Sequence, residues 1–177
     1  MFSFNKILNL AFIALNGALI AAAAPASQTL SCFPPAAGNY SFESVAFPGE
    51  LVGVGQGFVP VIEKAPPQGN LGVWTLTTAD QGGYHIMNVE LMETVTTVHL
   101  VESNLFLPTV SSAPATTYAI ECAGANGPQY VIKAVDDDLL WETIPGTRDG
   151  DAQQGVANVE MHPADGSDEQ RFLLHAL

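Results

Sequence analysis

Tyr40-Ser41-Phe42, Tyr84-His85-Ile86 and Tyr130-Val131-Ile132 each place a tyrosine two residues before a large apolar side chain. The three tyrosines lie 44 and 46 residues apart. Side chains two positions apart on a β-strand point to the same face, so each pair would face the interior of a sheet. Repetition at this period indicates three copies of one structural unit.

A second series of aromatic-x-aliphatic pairs closes each copy. Its members are Trp74-Thr75-Leu76, Tyr118-Ala119-Ile120 and Phe172-Leu173-Leu174, at spacings of 44 and 54 residues. The third copy is therefore the longest. Between its opening and closing pairs, each copy has room for two more short strands, separated by Gly, Pro, Asn and Asp clusters that are typical of turns.

The expected middle strands follow from the apolar runs inside each copy. They lie near residues 51–54 and 58–62 in the first copy, 93–97 and 98–101 in the second, and 139–142 and 159–162 in the third. Outside the N-terminal segment, no stretch longer than ten residues keeps a helical period, so we expect little or no helix.

Three four-stranded units could form propeller blades or the lobes of a β-trefoil. A propeller normally needs at least four blades to close. The sequence therefore predicts an all-β fold in which residues 25–177 form one β-trefoil domain, a pseudo-threefold barrel with lobes at about 38–80, 81–126 and 127–177. A β-sandwich with coincidental spacing remains the alternative.

Residues 1–24 have the composition of a secretory signal peptide. Lys6 precedes an apolar run, and four alanines occupy 21–24 just before Pro25. A retained membrane anchor is the alternative interpretation. We expect a secreted, extracellular protein. Cleavage after Ala23, Ala24 or Ala26 satisfies the small-x-small rule.

The charge of the chain argues against several partners. The formal net charge is −13, and removal of Lys6 with the signal peptide leaves four basic residues against 18 acidic ones. So negative a surface repels phosphate backbones and anionic lipids, which excludes nucleic acid and membrane as partners of the mature form. With 47% hydrophobic residues, the chain is expected to fold into one compact domain, as a monomer.

The two cysteines and one sequon fit the secretory route. Cys32 and Cys122 are predicted to form a disulfide, because thiols pair in an oxidising compartment. Closing a loop of about ninety residues would stabilise the fold by roughly 4 kcal/mol. Two separate buried thiols remain the alternative. Asn39-Tyr40-Ser41 is a predicted N-glycosylation site on a predicted strand.

The C-terminal part of the chain contains four motifs, which are Tyr130-Val131-Ile132-Lys133, Leu140-Trp141-Glu142, Val159-Glu160-Met161-His162-Pro163 and Asp165-Gly166-x-x-x-Gln170-Arg171-Phe172-x-Leu174. Together they resemble the third lobe of the fungal β-trefoil serine protease inhibitors, and the likeness extends from about residue 38 to the C-terminus. Trp74-Thr75-Leu76 followed by Gly83-Tyr84-His85-Ile86 is similar to the junction of their first two lobes. The resemblance implies a non-enzymatic inhibitor of trypsin-, chymotrypsin- or subtilisin-like endopeptidases, which acts through one exposed loop.

The resemblance does not transfer one reactive site directly. Some family members carry a basic residue between the second and third strands of the first lobe, where this chain has Gly55-Gln56-Gly57. Arg148, in the long loop of the third lobe, is the first candidate, and Lys64 is the second. Lys133 and Arg171 are the other basic residues, both in predicted strands. A chymotrypsin-like target could instead accept Leu105 or Phe106, although that stretch also fits a buried strand.

Carbohydrate binding is the second function that the resemblance allows, because the inhibitors are related to the ricin-B-like trefoil lectins. Those lectins carry Gln-x-Trp near the end of each lobe, and here Gln170-Arg171-Phe172 alone approximates that motif. An Asp near a lobe start and an aromatic ring such as Trp141 would then hold the sugar. A trefoil scaffold with neither activity is the third possibility.

Metal and catalytic patterns are weaker. Asp149-x-Asp151-x-Gln153 followed by Glu160 imitates a calcium loop, but Gln154 occupies the position that requires glycine. A solvated acidic loop explains it better. The histidines lack metal-ligand spacing, and no nucleophile elbow or phosphate-binding loop occurs. We therefore expect no metal, no cofactor and no catalytic residue.

Overall fold

The structure is a computed structural model that describes residues 32–55, 60–63, 69–124, 127–145 and 157–177. The predicted signal peptide, Lys64 and Arg148 lie outside the described residues, as does the calcium-like stretch apart from Glu160. Within the described ranges, the chain has no helix long and apolar enough to cross a membrane.

Twelve antiparallel strands fall into three lobes of four. The first lobe contains β1 (Gly38–Ser44), β2 (Leu51–Val54), β3 (Pro60–Glu63) and β4 (Trp74–Thr78). The second contains β5 (Tyr84–Asn88), β6 (Glu93–Leu100), β7 (Leu105–Ser111) and β8 (Tyr118–Cys122). The third contains β9 (Gln129–Ala134), β10 (Leu140–Pro145), β11 (Ala157–His162) and β12 (Phe172–Ala176), with a 3₁₀ turn at Asp168–Gln170.

The first and fourth strands of the three lobes close a six-stranded barrel. β1 pairs with β4, β4 with β5, β5 with β8, β8 with β9, β9 with β12, and β12 with β1. The register is the same in each lobe, which confirms the predicted β-trefoil. The matching cross-strand pairs are Tyr40 with Trp74, Tyr84 with Tyr118, and Tyr130 with Phe172.

The middle strands of each lobe form hairpins that cover one end of the barrel. β2 pairs with β3, β6 with β7, and β10 with β11, and β11 also contacts β3 and β7. We call this the capped end. The opposite end, which we call the mouth, carries the turns β4–β5 and β8–β9 together with residues 32–37 and Leu177.

The repeated pairs form the core as the period-2 alternation predicts. One central layer takes a side chain from each barrel strand, and all six are fully buried. Burial raises the pKa of Tyr118 to about 12. Trp141, from β10, packs edge to face against the four aromatic rings of this layer. The layer consists of Phe42, Trp74, Ile86, Tyr118, Ile132 and Phe172.

The middle strands of the second lobe have different bounds from those that the sequence predicts. The runs at 93–97 and 98–101 were expected to be two strands, but β6 is continuous from Glu93 to Leu100, and β7 follows at Leu105–Ser111. The β-branched residues of β6 continue without a turn-forming residue. The chain reverses at residues 101–104, where Asn104 adopts a positive φ of 51°. Leu105 and Phe106 therefore lie in a strand rather than in a loop.

The disulfide between Cys32 and Cys122 is confirmed, with Cα atoms 5.8 Å apart. Asn39 lies on β1 with its side chain exposed, and the Thr75 hydroxyl donates to its Oδ1 at 2.7 Å. Glycosylation of Asn39 stays a prediction, compatible with this exposure.

Glu43, on β1, gives an expected pH dependence. The Gly49 amide donates to its Oε1 at 2.8 Å, and His175 Nε2 lies 2.7 Å from its Oε2. The Gly49 hydrogen bond, more than the His175 contact, holds the pKa of Glu43 below its usual 4.5. A depressed folded-state pKa gives stability that is present above the unfolded pKa and is lost as pH falls through the folded one.

We therefore expect Glu43→Gln to reduce the loss of stability on acidification below about pH 4.5, the unfolded value. Urea unfolding of both proteins above and below that pH measures the difference. Glu121→Gln, which changes an exposed carboxylate on β8, is the matched control. An identical pH dependence of wild type and Glu43→Gln would contradict the assignment.

Candidate functional site

The two candidate reactive residues, Arg148 and Lys64, lie outside the described residues, but the strands on either side of the segment that contains Arg148 are described. β10 ends at Pro145 and β11 begins at Ala157, and these two residues are opposite each other in the hairpin. Eleven residues, 146–156, connect them. The equivalent connection in the second lobe, between β6 and β7, consists only of residues 101–104, so the third-lobe connection is the longer of the two.

The lysine and the arginine of the described ranges, Lys133 and Arg171, already have partners. Lys133 forms an ion pair with Asp138 across the turn after β9. Arg171 contacts Asp168 Oδ1 at 3.1 Å and donates to the Gly166 carbonyl at 2.7 Å. Both would have to release these contacts before they could enter a protease pocket.

Trp141 was expected to stack on a sugar, and the structure shows that this hypothesis is wrong. Its side chain is 0% exposed and packs edge to face against Tyr118 and Phe172, with ring centroids 5.7 and 6.3 Å away. The alternation of β10 turns this position into the barrel. Trp141 is therefore a core residue and presents no surface to a ligand.

A polar cluster lies beside it in the third lobe, built around Gln170. This side chain is 1% exposed, and its amide group is fixed from both sides. Nε2 donates to Glu142 Oε2 at 2.8 Å and to the Pro163 carbonyl at 2.9 Å, while the Asp165 amide donates to Oε1 at 3.0 Å. The buried amide thereby fixes the orientation of the Glu142 carboxylate.

The β10–β11 hairpin brings two more polar side chains to Glu142. Glu160 is directly opposite Glu142 in the register, so their side chains share a face of the hairpin. His162 Nε2 lies 3.3 Å from Glu160 Oε2, and its side chain is 38% exposed. We call Glu142, Glu160, His162 and Gln170 the third-lobe polar cluster.

The segment that carries Gln170 is held in place by its own hydrogen bonds. The Thr143 hydroxyl donates to the Glu169 carbonyl at 3.0 Å, which ties the 3₁₀ turn to β10. The Ser167 amide donates to Asp165 Oδ1 at 2.8 Å, and this bond lowers the pKa of the Asp165 carboxyl. The backbone that leads to Gln170 is therefore held by hydrogen bonds at Glu169 and at Ser167.

The cluster occurs in the third lobe alone. The strand register aligns Glu142 with Gly53 and Thr96. Gln170, two residues before the closing aromatic, aligns with Gly72 and Thr116. None of these four side chains carries a carboxylate or a carboxamide, so the trefoil has one such site rather than three.

The chemistry of the cluster suits a neutral, hydroxyl-rich ligand. Two carboxylates accept hydrogen bonds and repel anions, and the exposed imidazole offers a flat surface. Within the described ranges, no group of three or more His, Cys, Asp and Glu side chains could hold a metal ion. Gln170 belongs to a motif visible in the sequence, whereas Glu160 and His162 required the hairpin register to be recognised.

No protein-family model matches the sequence. No curated protein sequence matches it either.

Solved structures share the fold. The Rhizoctonia solani agglutinin superposes with a TM-score of 0.64 at 18% identity, over 83% of this chain and 100% of its own. The Macrolepiota procera ricin B-like lectin in complex with lactose gives 0.62 at 11% identity, over 82% of this chain and 100% of its own. A mosquitocidal holotoxin gives 0.63 at 13% identity over 80% of this chain, which matches 16% of the holotoxin's length.

Identities this low show the fold alone. The chain is a β-trefoil, and these likenesses do not single out the protease inhibitors among trefoil proteins.

Proposed function

We propose that the protein binds carbohydrate through the third-lobe polar cluster. The observation that carries this proposal is the Glu142 carboxylate, which the buried amide of Gln170 fixes at 2.8 Å. An oriented carboxylate recognises a pair of sugar hydroxyls because it can accept a hydrogen bond from each. Preorganisation matters because the entropy of fixing that side chain is already lost before the ligand arrives.

The groups around Glu142 limit the class of sugar that could bind there. Glu160, opposite it, and the net charge of the chain disfavour sialylated, sulfated or phosphorylated sugars. The exposed ring of His162 can contact the apolar face of a pyranose. A neutral hexose is therefore the ligand class, and a β-galactoside is the first probe, since a trefoil of the same fold holds lactose.

The test compares wild type with Glu142→Gln by calorimetric titration of lactose and by binding to a neutral glycan array. A hydrogen bond to a charged group contributes about 1.5–3 kcal/mol, so we expect affinity to fall by roughly tenfold or more. Glu121→Gln removes a distant exposed carboxylate and is expected to bind as wild type does. Wild type that binds no neutral glycan, or equal binding by Glu142→Gln, would overturn the proposal.

Serine protease inhibition is the second candidate function. The paired strands β10 and β11, on either side of the segment that contains Arg148, support it. Six consecutive cross-strand pairs, ending at Pro145 and Ala157, hold both ends of the eleven-residue connection. A loop with fixed ends loses less entropy on entering a protease cleft. The Cys32–Cys122 disulfide supports secretion, because such bonds persist in oxidising compartments.

Trypsin, chymotrypsin and subtilisin, each mixed with the protein in stoichiometric amounts, test this candidate. We expect tight inhibition of trypsin that Arg148→Ala abolishes and Lys64→Ala preserves. The reverse pattern would move the reactive site to Lys64. If none of the three proteases is inhibited, this candidate fails.

A further inference from the structure

Residues 32–36 lie across the mouth of the barrel and are held there by one tyrosine from each lobe. The Tyr40 hydroxyl donates to the Ala36 carbonyl at 2.9 Å, that of Tyr84 to Pro35 at 2.5 Å, and that of Tyr130 to Phe33 at 3.0 Å. These tyrosines are the first members of the three opening pairs. Three related side chains thus converge on one segment, which we call the strap.

The three phenols form a real cluster. Burial raises the pKa of Tyr84, and its neighbours Tyr40 and Tyr130 raise it further. All three hydroxyls donate to carbonyls of the strap, so a ligand that makes the same three hydrogen bonds must supply acceptors. The backbone carbonyls of an extended peptide are such acceptors.

The strap has the composition of a recognised peptide ligand. Its sequence is Phe33-Pro34-Pro35-Ala36, in which the two prolines lack an N–H and favour an extended backbone. Aromatic side chains that donate to carbonyls are a common means of binding proline-rich segments. Phe33 is 70% exposed, so carbonyl contacts rather than apolar burial hold this part of the chain.

The disulfide holds one end of the strap at the barrel. Cys32 anchors the N-terminal end of the strap to Cys122 at the end of β8, and β1 fixes the other end from Gly38. Three hydrogen bonds between neutral groups offset much of the entropy of ordering the strap, because two of its residues are prolines whose φ is already restricted. Without the covalent bond, the docked and released states of the strap would therefore be close in free energy.

We propose that the mouth is a binding site for an extended, proline-containing peptide, occupied in cis by residues 33–36 and latched by the Cys32–Cys122 disulfide. An external dithiol opens it by thiol–disulfide exchange. The S–S bond breaks, the two sulfurs gain two electrons and two protons to become thiols, and the dithiol is oxidised to its own disulfide. The released strap leaves three phenol donors free for a peptide from another chain.

This site is separate from the third-lobe polar cluster, since Gln170 precedes β12 at the capped end and the strap crosses the mouth. The two proposals therefore fail independently.

Tyrosine nitration by tetranitromethane, located by mass spectrometry, tests the latch in the full mature chain. Wild type is compared with the double variant C32S/C122S, which stands for the open state without reactive thiols. A second attachment point raises the occupancy of a tethered ligand by roughly 10²-fold or more, so we expect Tyr84 to be nitrated at least about tenfold faster in the variant. Tyr118, fully buried, must stay unreactive in both proteins.

A peptide arm tests the site itself. The peptide Ser-Phe-Pro-Pro-Ala-Ala, which copies residues 32–37 with serine for cysteine, is expected to protect Tyr84 of C32S/C122S from nitration. Ser-Phe-Ala-Ala-Ala-Ala, the matched control, should protect much less. Equal nitration of Tyr84 in wild type and in the folded variant, or equal protection by both peptides, would overturn the proposal.

Nitration of Tyr118 in C32S/C122S would show that this variant unfolds. In that case a second variant tests the proposal instead. P34G/P35G retains the disulfide but removes the stiffness that favours the extended strap. We expect faster nitration of Tyr84 in this variant than in wild type, and protection by the proline peptide. Unchanged nitration there would equally overturn the proposal.

Discussion

Trp141→Ala is expected to lower the free energy of unfolding by about 3–5 kcal/mol, among the largest losses that one core substitution can produce. The indole is fully buried, and its ring centroid lies within 6.5 Å of those of Phe42, Trp74, Tyr118 and Phe172. These rings come from the barrel strands of all three lobes. The cavity would therefore open where the lobes meet and could not be filled by moving one hairpin.

Urea unfolding followed by far-UV circular dichroism measures this loss. The Trp141 Nε1 has no hydrogen-bond partner among the described residues, so the substitution removes packing without leaving a buried acceptor unpaired. Trp141→Phe, which keeps an aromatic ring, is the matched control and should lose less than half as much. A loss below about 1 kcal/mol for Trp141→Ala would show that the core tolerates the cavity, contrary to this account.

Much of the fold could be predicted because the barrel repeats itself. Each barrel strand contributes two inward side chains, and alternation makes such pairs visible without any knowledge of the partner strand. Phe42 and Trp74 show this, since both were placed in the core from spacing alone and both are fully buried. The number of copies, three, favours the trefoil over a propeller, which normally needs at least four blades.

The hairpins were harder to predict because their boundaries depend on single turn residues. Residues 93–101 contain β-branched side chains on both sides of the boundary expected near residue 98, and nothing local stops the strand there. The observed turn depends on Asn104, whose short polar side chain tolerates a positive φ. His99 Nε2, 3.2 Å from Asn104 Oδ1, adds to that turn.

The third-lobe polar cluster could be predicted only in part, since its residues depart from the repeat. Gln170 belongs to a stretch that approximates a lectin motif in the sequence, but its partner Glu142 lies 28 residues away. Glu160 joins them only through the hairpin register. The strap is not visible in the sequence for the opposite reason, because the three tyrosines that hold it follow the repeat, and the repeat predicts only core positions for them.

Gln170→Ala is expected to damage stability and ligand binding together. The substitution removes three hydrogen bonds, including the charged one to Glu142, and leaves the Pro163 carbonyl and the Asp165 amide without their partner. Unsatisfied polar groups and a small cavity together predict a loss of about 2–4 kcal/mol. Urea unfolding measures it, and titration with lactose should show weaker binding because the Glu142 carboxylate is no longer oriented.

A double-mutant cycle separates the orientation of Glu142 from general damage to the third lobe. Glu142→Ala, Gln170→Ala and the double variant should give a coupling energy of about 1.5–3 kcal/mol, since both single changes remove the same charged hydrogen bond. Gln170→Ala paired with Glu121→Ala, on distant β8, should be additive within about 0.5 kcal/mol. If Glu142 and Gln170 are also additive, the amide does not hold the carboxylate, and carbohydrate binding at this cluster loses the observation on which it rests.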